Sequence, residues 1–545
     1  MHTRLTRTLA LLTVAALGAG CTKVGTTSDT SGGHSYTRAH ELRFAAAEDL
    51  VGLNPMINTQ AVLSYLASMT MAWLIRTDAH SEPTVPELAT VVPSKANGGI
   101  SPDGKTITWH LRKGVVWSDG VPFTADDVVF STKLILDPKT NVVGRDGWDQ
   151  IVKVDEPDKY TVVYHLKAPY GPFAVTYFST AGANPSILPK HLLEGKDVNT
   201  DPYNSLPVGI GPFKYEAWNR GDSVVLVANP KYWRGAPKLQ RITYKTIQDR
   251  NTVLEEMRTH ELDLWTPVPP HYVQDLRKIG GVKLLMTPSY FYDHMDFNNQ
   301  RPVMSDHAVR QALRMALDRK LLNDKIRFGI FDLGESVVPP VSRFHVNLPM
   351  TPFDIAGANR VLDAGGWKRG ADGIRTKNGL RLSLDFATSS GTPDTDTEIE
   401  LIRGWWKQLG AEITVKHYPA SLFFALASSG GIIYGGKFDI VVFAWGGDPN
   451  QDLSNLYACY RFPPNGQNDP RYCNTAVTAA IDRGKVEYDR AKRVPDMDFI
   501  QRQIVADVPT IVLDTRKEIY AYNEDITGWH PNPVAPFDDI LNVDI

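Results

Sequence analysis

The sequence predicts an α/β protein built from at least two unlike lobes. Three observations carry this. The chain has 545 residues, too many for a single hydrophobic core. Between Asp306 and Ala444, amphipathic helices alternate with short apolar strands in a βαβ-like rhythm. The N-terminal portion instead carries alternating strands separated by many turns.

Residues 1–20 are a separate object. Arg4 and Arg7 make a positive start, and residues 9–20 are uncharged and mostly apolar, too short to cross a bilayer as a helix. They read as a signal peptide. Residues 17–21, LGAGC, resemble the lipobox of bacterial lipoproteins, with Cys21 as the lipid attachment point. Leu17 stands four residues before Cys21, and Gly18 occupies the usual leucine position, so plain secretion stays open. Residues 21–37 are rich in Thr, Ser and Gly and read as a flexible tether.

In the mature part, residues 42–46 form a first strand, broken at Asn54-Pro55. Residues 61–74 have helical spacing, with Leu63, Leu66, Ala67, Thr70, Met71 and Leu74 on one face. Residues 106–111 alternate as a strand. Residues 124–136 form a helix capped by Thr124, with Asp126 and Asp127 in its positive first turn. Residues 155–167 read as a strand. Asp306 precedes a helix whose Val309, Ala312, Leu313, Ala316 and Leu317 share an apolar face. Residues 398–409 form a second amphipathic helix ended by Gly410, and 411–417 the strand after it.

Residues 440–444 are an apolar, β-branched run, as in a strand covered on both faces. Trp445, Gly446, Gly447 and Asp448 follow. The two glycines permit positive φ and close approach of a ligand or another backbone. An aromatic face beside an acid at a strand's end can grip an extended chain and its cationic end. The same residues also fit a surface turn in which Asp448 caps its neighbours.

Composition excludes several classes. Hydrophobic residues make up 42% and charged residues 22%, ordinary for a soluble globular protein. A net charge of −3 offers no field for nucleic acid. Aromatics reach 10%, which suits either a ligand cleft or large cores. There is no GxSxG elbow, no HExxH and no Walker lysine loop. Residues 209–211, GIG, lack the third glycine and the helix of a dinucleotide site. Histidines form no compact cluster, so neither metal nor cofactor is expected; His294, His307 and His345 read as surface or interface residues. With Cys21 set aside, Cys459 and Cys473 pair in an exported protein as a disulfide; a zinc pair would need closer spacing.

Residues 109–131, WHLRKGVVWSDGVPFTADDVVFS, resemble the signature of the family 5 solute-binding proteins. These are the oligopeptide, dipeptide and nickel receptors of ABC importers. The resemblance continues through 209–214 (GIGPFK), 229–233 (NPKYW), 298–299 (NN), 305–312 (SDHAVRQA) and 508–513 (VPTIVL). It implies a bilobal, periplasmic-binding-protein-like fold with an extra inserted domain and a ligand cleft between lobes. Lobe I would take 38–85, 205–292 and 515–545, the inserted domain 86–204, and lobe II 293–514. The chain would cross between lobes near Tyr292 and Asp514.

The resemblance also implies a site. Asp448, three residues after Trp445, would meet a peptide's α-ammonium. Thr59, Gln60 and Ala61 would hold the peptide backbone as an added strand, with Gly446 and Gly447 as the facing edge. Tyr290 and Tyr292 would line the cleft or pack the lobe interface. Residues 389–396 carry no arginine to take a ligand carboxylate, and Arg403 lies further into the helix. The implied function is a monomeric binding lipoprotein, in the periplasm or on the outer face of the cytoplasmic membrane. It would capture a solute, foremost a peptide, and deliver it to a permease. The competing readings are a secreted glycosidase-like hydrolase and a surface adhesin or peptide holder.

Overall fold

The computed structural model describes residues 33–545, apart from residues 59, 143, 182–184 and 392. The signal peptide, most of the tether, Cys21 and Thr59 therefore lie outside the described residues.

One ten-stranded mixed sheet runs through the molecule. Its order is Glu412–Tyr418, Ser383–Ser389, Ile440–Gly446, Val282–Phe297, Thr510–Asn523, Leu264–Trp265, Glu41–Ala46, Arg241–Thr246, Ser223–Ala228, Phe213–Asn219. The two long strands in its middle, Val282–Phe297 and Thr510–Asn523, pair antiparallel and hold Tyr292 and Asp514. Their register breaks between Pro288 and Tyr292 and again between Asp293 and His294. Such irregularities bend and twist a sheet locally. On one side of this pair lies a core around Phe44, Leu226, Tyr244 and Phe537. On the other lies a core around Phe386, Trp406, Ile440 and Leu513.

The βαβ rhythm is real. Ser383–Ser389 pairs parallel with Glu412–Tyr418 and with Ile440–Gly446. The helix Pro393–Gln408 makes the crossover and buries Ile399, Ile402 and Trp406. It starts five residues earlier than its apolar periodicity indicates, because its first turn is acidic (Asp394, Asp396) and not apolar. The helix after Asp306, His307–Met315, buries the expected face, and the Asp306 carboxylate accepts from Ala308 N at 3.0 Å.

A separate three-stranded antiparallel sheet, in the order Thr106–His110, Thr161–Leu166, Ile151–Asp158, packs under the helix Ala125–Leu136. The single strand expected over 155–167 is thus a hairpin turning at Lys159-Tyr160, a turn that alternation alone does not mark. The signature stretch has a packing role here. The buried Asp127 carboxylate accepts from Thr124 N (3.1 Å), Lys190 N (3.0 Å) and Trp117 Nε1 (3.3 Å). It closes the helix start onto the tryptophan ten residues before it.

The first helix is Ala61–Thr70, four residues shorter than its periodicity suggests. Gly211 N donates to Thr70 O at 2.8 Å, taking the carbonyl that the next turn would have used. A Cβ on Gly209 would stand 2.0 Å from Thr70 O, and one on Gly211 2.5 Å from Met69 O. The GIG segment is therefore glycine because two backbones meet there. Five tryptophans (109, 117, 265, 367, 406) are fully buried, so much of the aromatic content serves cores. His294 is 3% exposed, wedged between Tyr292 and Phe443, rather than at the surface. Among the described residues no helix is long and apolar enough to cross a membrane, and no group of His, Cys, Asp or Glu is arranged to hold a metal.

Candidate functional site

The strand Ile440–Gly446 is buried at its start and opens toward its end. Its register with Val282–Phe297 pairs Tyr292 with Trp445 and Phe291 with Gly446. Neither Gly446 nor Gly447 has positive φ; that conformation falls on Gln451, at 51°. The glycines are needed for closeness. A Cβ on Gly446 would lie 2.6 Å from the Phe291 ring, and Gly447 N donates to Tyr290 O at 3.0 Å. Phe291 is thereby laid over the strand end, and the turn is pinned to the neighbouring strand.

Asp448 sits half-buried at the end of this turn. Its Oδ1 accepts from Asn450 N (2.6 Å) and Gln451 N (3.0 Å), an Asx turn. Half of the carboxylate therefore holds the loop, so it is not spare as a pure ligand group would be. Among the described residues nothing bonds Oδ2. Burial pushes this carboxyl above the ordinary range, and the charge of Asp452 adds to the push. Buried arginines brace the turn from behind. Arg490 Nη2 donates to Pro449 O, while Arg493 donates to Asn450 Oδ1 and to Asn450 O at 2.8 Å.

The turn opens onto a cavity of about 1010 Å³, at the large end for a ligand site. Trp445, Gly446, Gly447, Asp448 and Tyr292 line it. The opposite wall comes from Met56, Asp146, Trp148, Asp149 and Tyr170. Sequence reasoning passed over this wall, although Gly147, Trp148 and Asp149 carry the same residue types as 445–448. A third wall, Tyr460, Arg461 and Gln467, lies within the loop that the Cys459–Cys473 disulfide closes, with the two Cα atoms 4.5 Å apart. The two sides touch around the cavity. Gly171 N donates to Lys485 O (2.7 Å), and Tyr488 OH donates to Gly104 O (2.6 Å).

The other expected residues sit elsewhere. Gln60 turns back to bond Val51 N (2.8 Å) and Asp49 O (2.6 Å), and Ala61 begins its helix; Pro55 and Met56 are the nearby residues that reach the cavity. Tyr290 is buried, and its part in the turn is its carbonyl. Arg403 is exposed and pairs with Glu400.

Known proteins resemble this chain in sequence and in fold. The family model "Bacterial extracellular solute-binding proteins, family 5 Middle" covers residues 84–467. The chain belongs to this family. Family 5 proteins are the solute-binding components of ABC importers, and they work outside the cytoplasm. This family 5 protein is 31% identical over 424 residues to Protein XP55 of Streptomyces lividans, covering 77% of this chain and 74% of the relative. It is 24% identical over 499 residues to the oligopeptide-binding protein AppA of Bacillus subtilis, covering 90% and 88%. To the glutathione-binding protein GsiB of Salmonella typhimurium it is 27% identical over 447 residues, covering 81% and 84%. In fold it resembles AppA of Bacillus subtilis in complex with a nonapeptide, with a TM-score of 0.76 at 23% identity over 92% of this chain and 98% of that one. It is as close to NikZ of Campylobacter jejuni in complex with Ni(L-His), with a TM-score of 0.76 at 23% identity over 93% and 100%. At that identity the two structures establish the bilobal binding-protein fold alone.

Proposed function

We propose that this family 5 protein captures a peptide in the cavity beside Asp448 and delivers it to an ABC permease. One observation carries the reading: Asp448 presents an unshared carboxylate oxygen beside Trp445, at the end of a strand, in a cavity large enough for a chain of residues. A buried ammonium needs such a partner, and aromatic faces hold the chain that bears it. The names of AppA and GsiB support a peptide over other solutes. The protein acts as a monomeric receptor and catalyses no reaction. Its three units follow the divisions 38–85 with 205–292 and 515–545, 86–204, and 293–514. Signal cleavage before Cys21 leaves that residue lipidated at the outer face of the membrane.

Native mass spectrometry of the purified protein, followed by calorimetry with a peptide library, tests this. The expected result is a retained or added mass of peptide size and saturable binding without turnover. Sustained hydrolysis of a peptide or glycoside by the cleft carboxylates would overturn it in favour of a hydrolase. Mass spectrometry of the mature N-terminus tests the anchor; a free, unmodified start at another residue would overturn it.

A further inference from the structure

The cavity is more acidic than the protein around it. The whole chain carries 61 Asp and Glu against 58 Lys and Arg, close to balance. Among the described residues the cavity is lined by five aspartates, 146, 149, 448, 452 and 482, against the two cations Arg461 and Lys485. Both cations are engaged. Arg461 lies 3.7 Å from Asp146 and donates to Asn465 O at 3.2 Å. Lys485 lies 3.8 Å from Asp452 and donates to Ser454 Oγ at 3.1 Å. Asp482 accepts from Tyr460 OH at 2.6 Å, and Asp149 has only a 3.5 Å contact from its neighbour Gln150.

The acids come from both sides of the cleft, Asp146 and Asp149 beside Trp148, and Asp448, Asp452 and Asp482 from the other side. Tyr170, in the opposite wall, has its hydroxyl pushed above its ordinary range, first by burial and then by the charges of Asp452, Asp448 and Asp146. Like charges across a narrow cleft with low-dielectric walls repel, and a solute between them is felt strongly. A single N-terminal ammonium balances one carboxylate and leaves Asp149 and Asp482 facing the ligand. Tyr460, bonded to Asp482, offers a ring of the kind on which guanidinium groups stack.

We propose that the cleft selects basic peptides: ligands with at least one Arg or Lys side chain besides the terminal ammonium, with Asp149 and Asp482 as its counter-charges. This rests on the peptide reading above.

Calorimetry with three pentapeptides alike except for one interior Arg, Ala or Glu tests it. The expected order is Arg over Ala over Glu, with Arg favoured at least tenfold, a preference that shrinks as salt rises from 0.05 to 0.5 M. The exposed Asp149→Asn should lower the ratio of Arg-peptide to Ala-peptide affinity by most of its wild-type value. Asp482→Asn, which keeps an acceptor for Tyr460, should do the same. Equal wild-type affinity for the Arg and Ala peptides overturns the inference while leaving the peptide reading standing. So does an Asp149→Asn protein that loses affinity for both peptides alike. Failure of all three peptides, or tighter binding of spermidine than of the Arg peptide, overturns both readings.

Discussion

Arg490 Nε lies 2.8 Å from the Glu82 carboxylate, while the Nη2 of the same guanidinium donates to Pro449 O. One side chain thus ties the turn that presents Asp448 to the other side of the cleft. Arg343 adds a second cation 3.5 Å from Glu82. The pair is only 17% and 13% exposed, between the surface and buried regimes. Glu82→Gln leaves two arginines facing each other without a counter-charge. The expected cost to the closed form is about 1–2 kcal/mol, or roughly five- to thirtyfold in affinity, mostly as faster release. Stopped-flow release of a bound peptide measures it. An unchanged release rate would show that the Glu82–Arg490 pair does not help hold the ligand in the cleft.

Asp448→Asn should cost about 2–5 kcal/mol of binding, roughly 30- to several-thousand-fold, because it leaves the ligand ammonium without a counter-ion. The loop should survive, since an Asn oxygen can still accept from Asn450 N and Gln451 N. Asp448→Ala loses those bonds as well and should also lower stability by about 1–2 kcal/mol. Urea unfolding of the two variants beside their calorimetric titrations separates the roles.

Proton linkage gives an independent check on Asp448. Burial holds its carboxyl above the ordinary carboxylate range, so protonation competes with the ligand at a higher pH than it would at an exposed Asp. A ligand ammonium requires the ionised form. Affinity should therefore rise with pH through the carboxyl's titration, and binding should release a proton. Calorimetry in buffers of different ionisation enthalpy reads that proton, and Asp448→Asn should abolish it.

The Cys459–Cys473 bridge closes a loop with a sequence separation of 14. Loop entropy assigns it about 3 kcal/mol. The loop carries Gln467, whose Nε2 donates to Tyr434 OH at 2.7 Å. Replacing both cysteines by serine should lower the unfolding free energy read from urea titration by that amount and weaken ligand binding through a loosened wall. Quantitative labelling of both thiols in native protein without reductant would mean the bridge does not form.

At the two central strands the carboxylates of Asp293, Asp514 and Glu398 share the guanidiniums of Arg327 and Arg516. Asp293 takes two hydrogen bonds from Arg516, at 2.9 and 2.7 Å, and is held at about 2. Glu398 accepts from Arg327 at 3.1 Å, yet burial pushes it up to about 7. The folded protein thus keeps a proton that the unfolded chain loses near pH 4.5. Stability should fall as pH rises from about 4.5 to 7, by roughly 3 kcal/mol at most. Glu398→Gln removes the third charge and keeps an acceptor for Arg327. It should reduce that slope, leaving the part due to Asp514, which burial and Asp293 also push up, and add about 1–3 kcal/mol at pH 8, read by urea unfolding at pH 5 and pH 8. A slope equal to wild type would place the retained proton elsewhere.

By itself the sequence determined whatever depends on neighbours in the chain. Periodicity marked the βαβ rhythm and the buried face of Val309, Ala312 and Leu313. The signature around Trp117 and Asp127 marked the family, and the run from Ile440 to Asp448 marked a strand delivering a carboxylate. Tertiary structure decided whatever depends on distant backbones meeting. The first helix stops at Thr70 because Gly211 takes its carbonyl, and Gly446 is glycine because the Phe291 ring lies against it. The second wall of the cleft, Trp148 and Asp149, was invisible as such, because two short turns some three hundred residues apart carry no shared periodicity. What places them across one cavity is the docking of the small sheet's unit against the side that carries the strand Ile440–Gly446, through bonds such as Gly171 N to Lys485 O in the helix Thr475–Val486. Long-range packing of that kind is set by shape and charge complementarity between surfaces, which a local pattern does not encode.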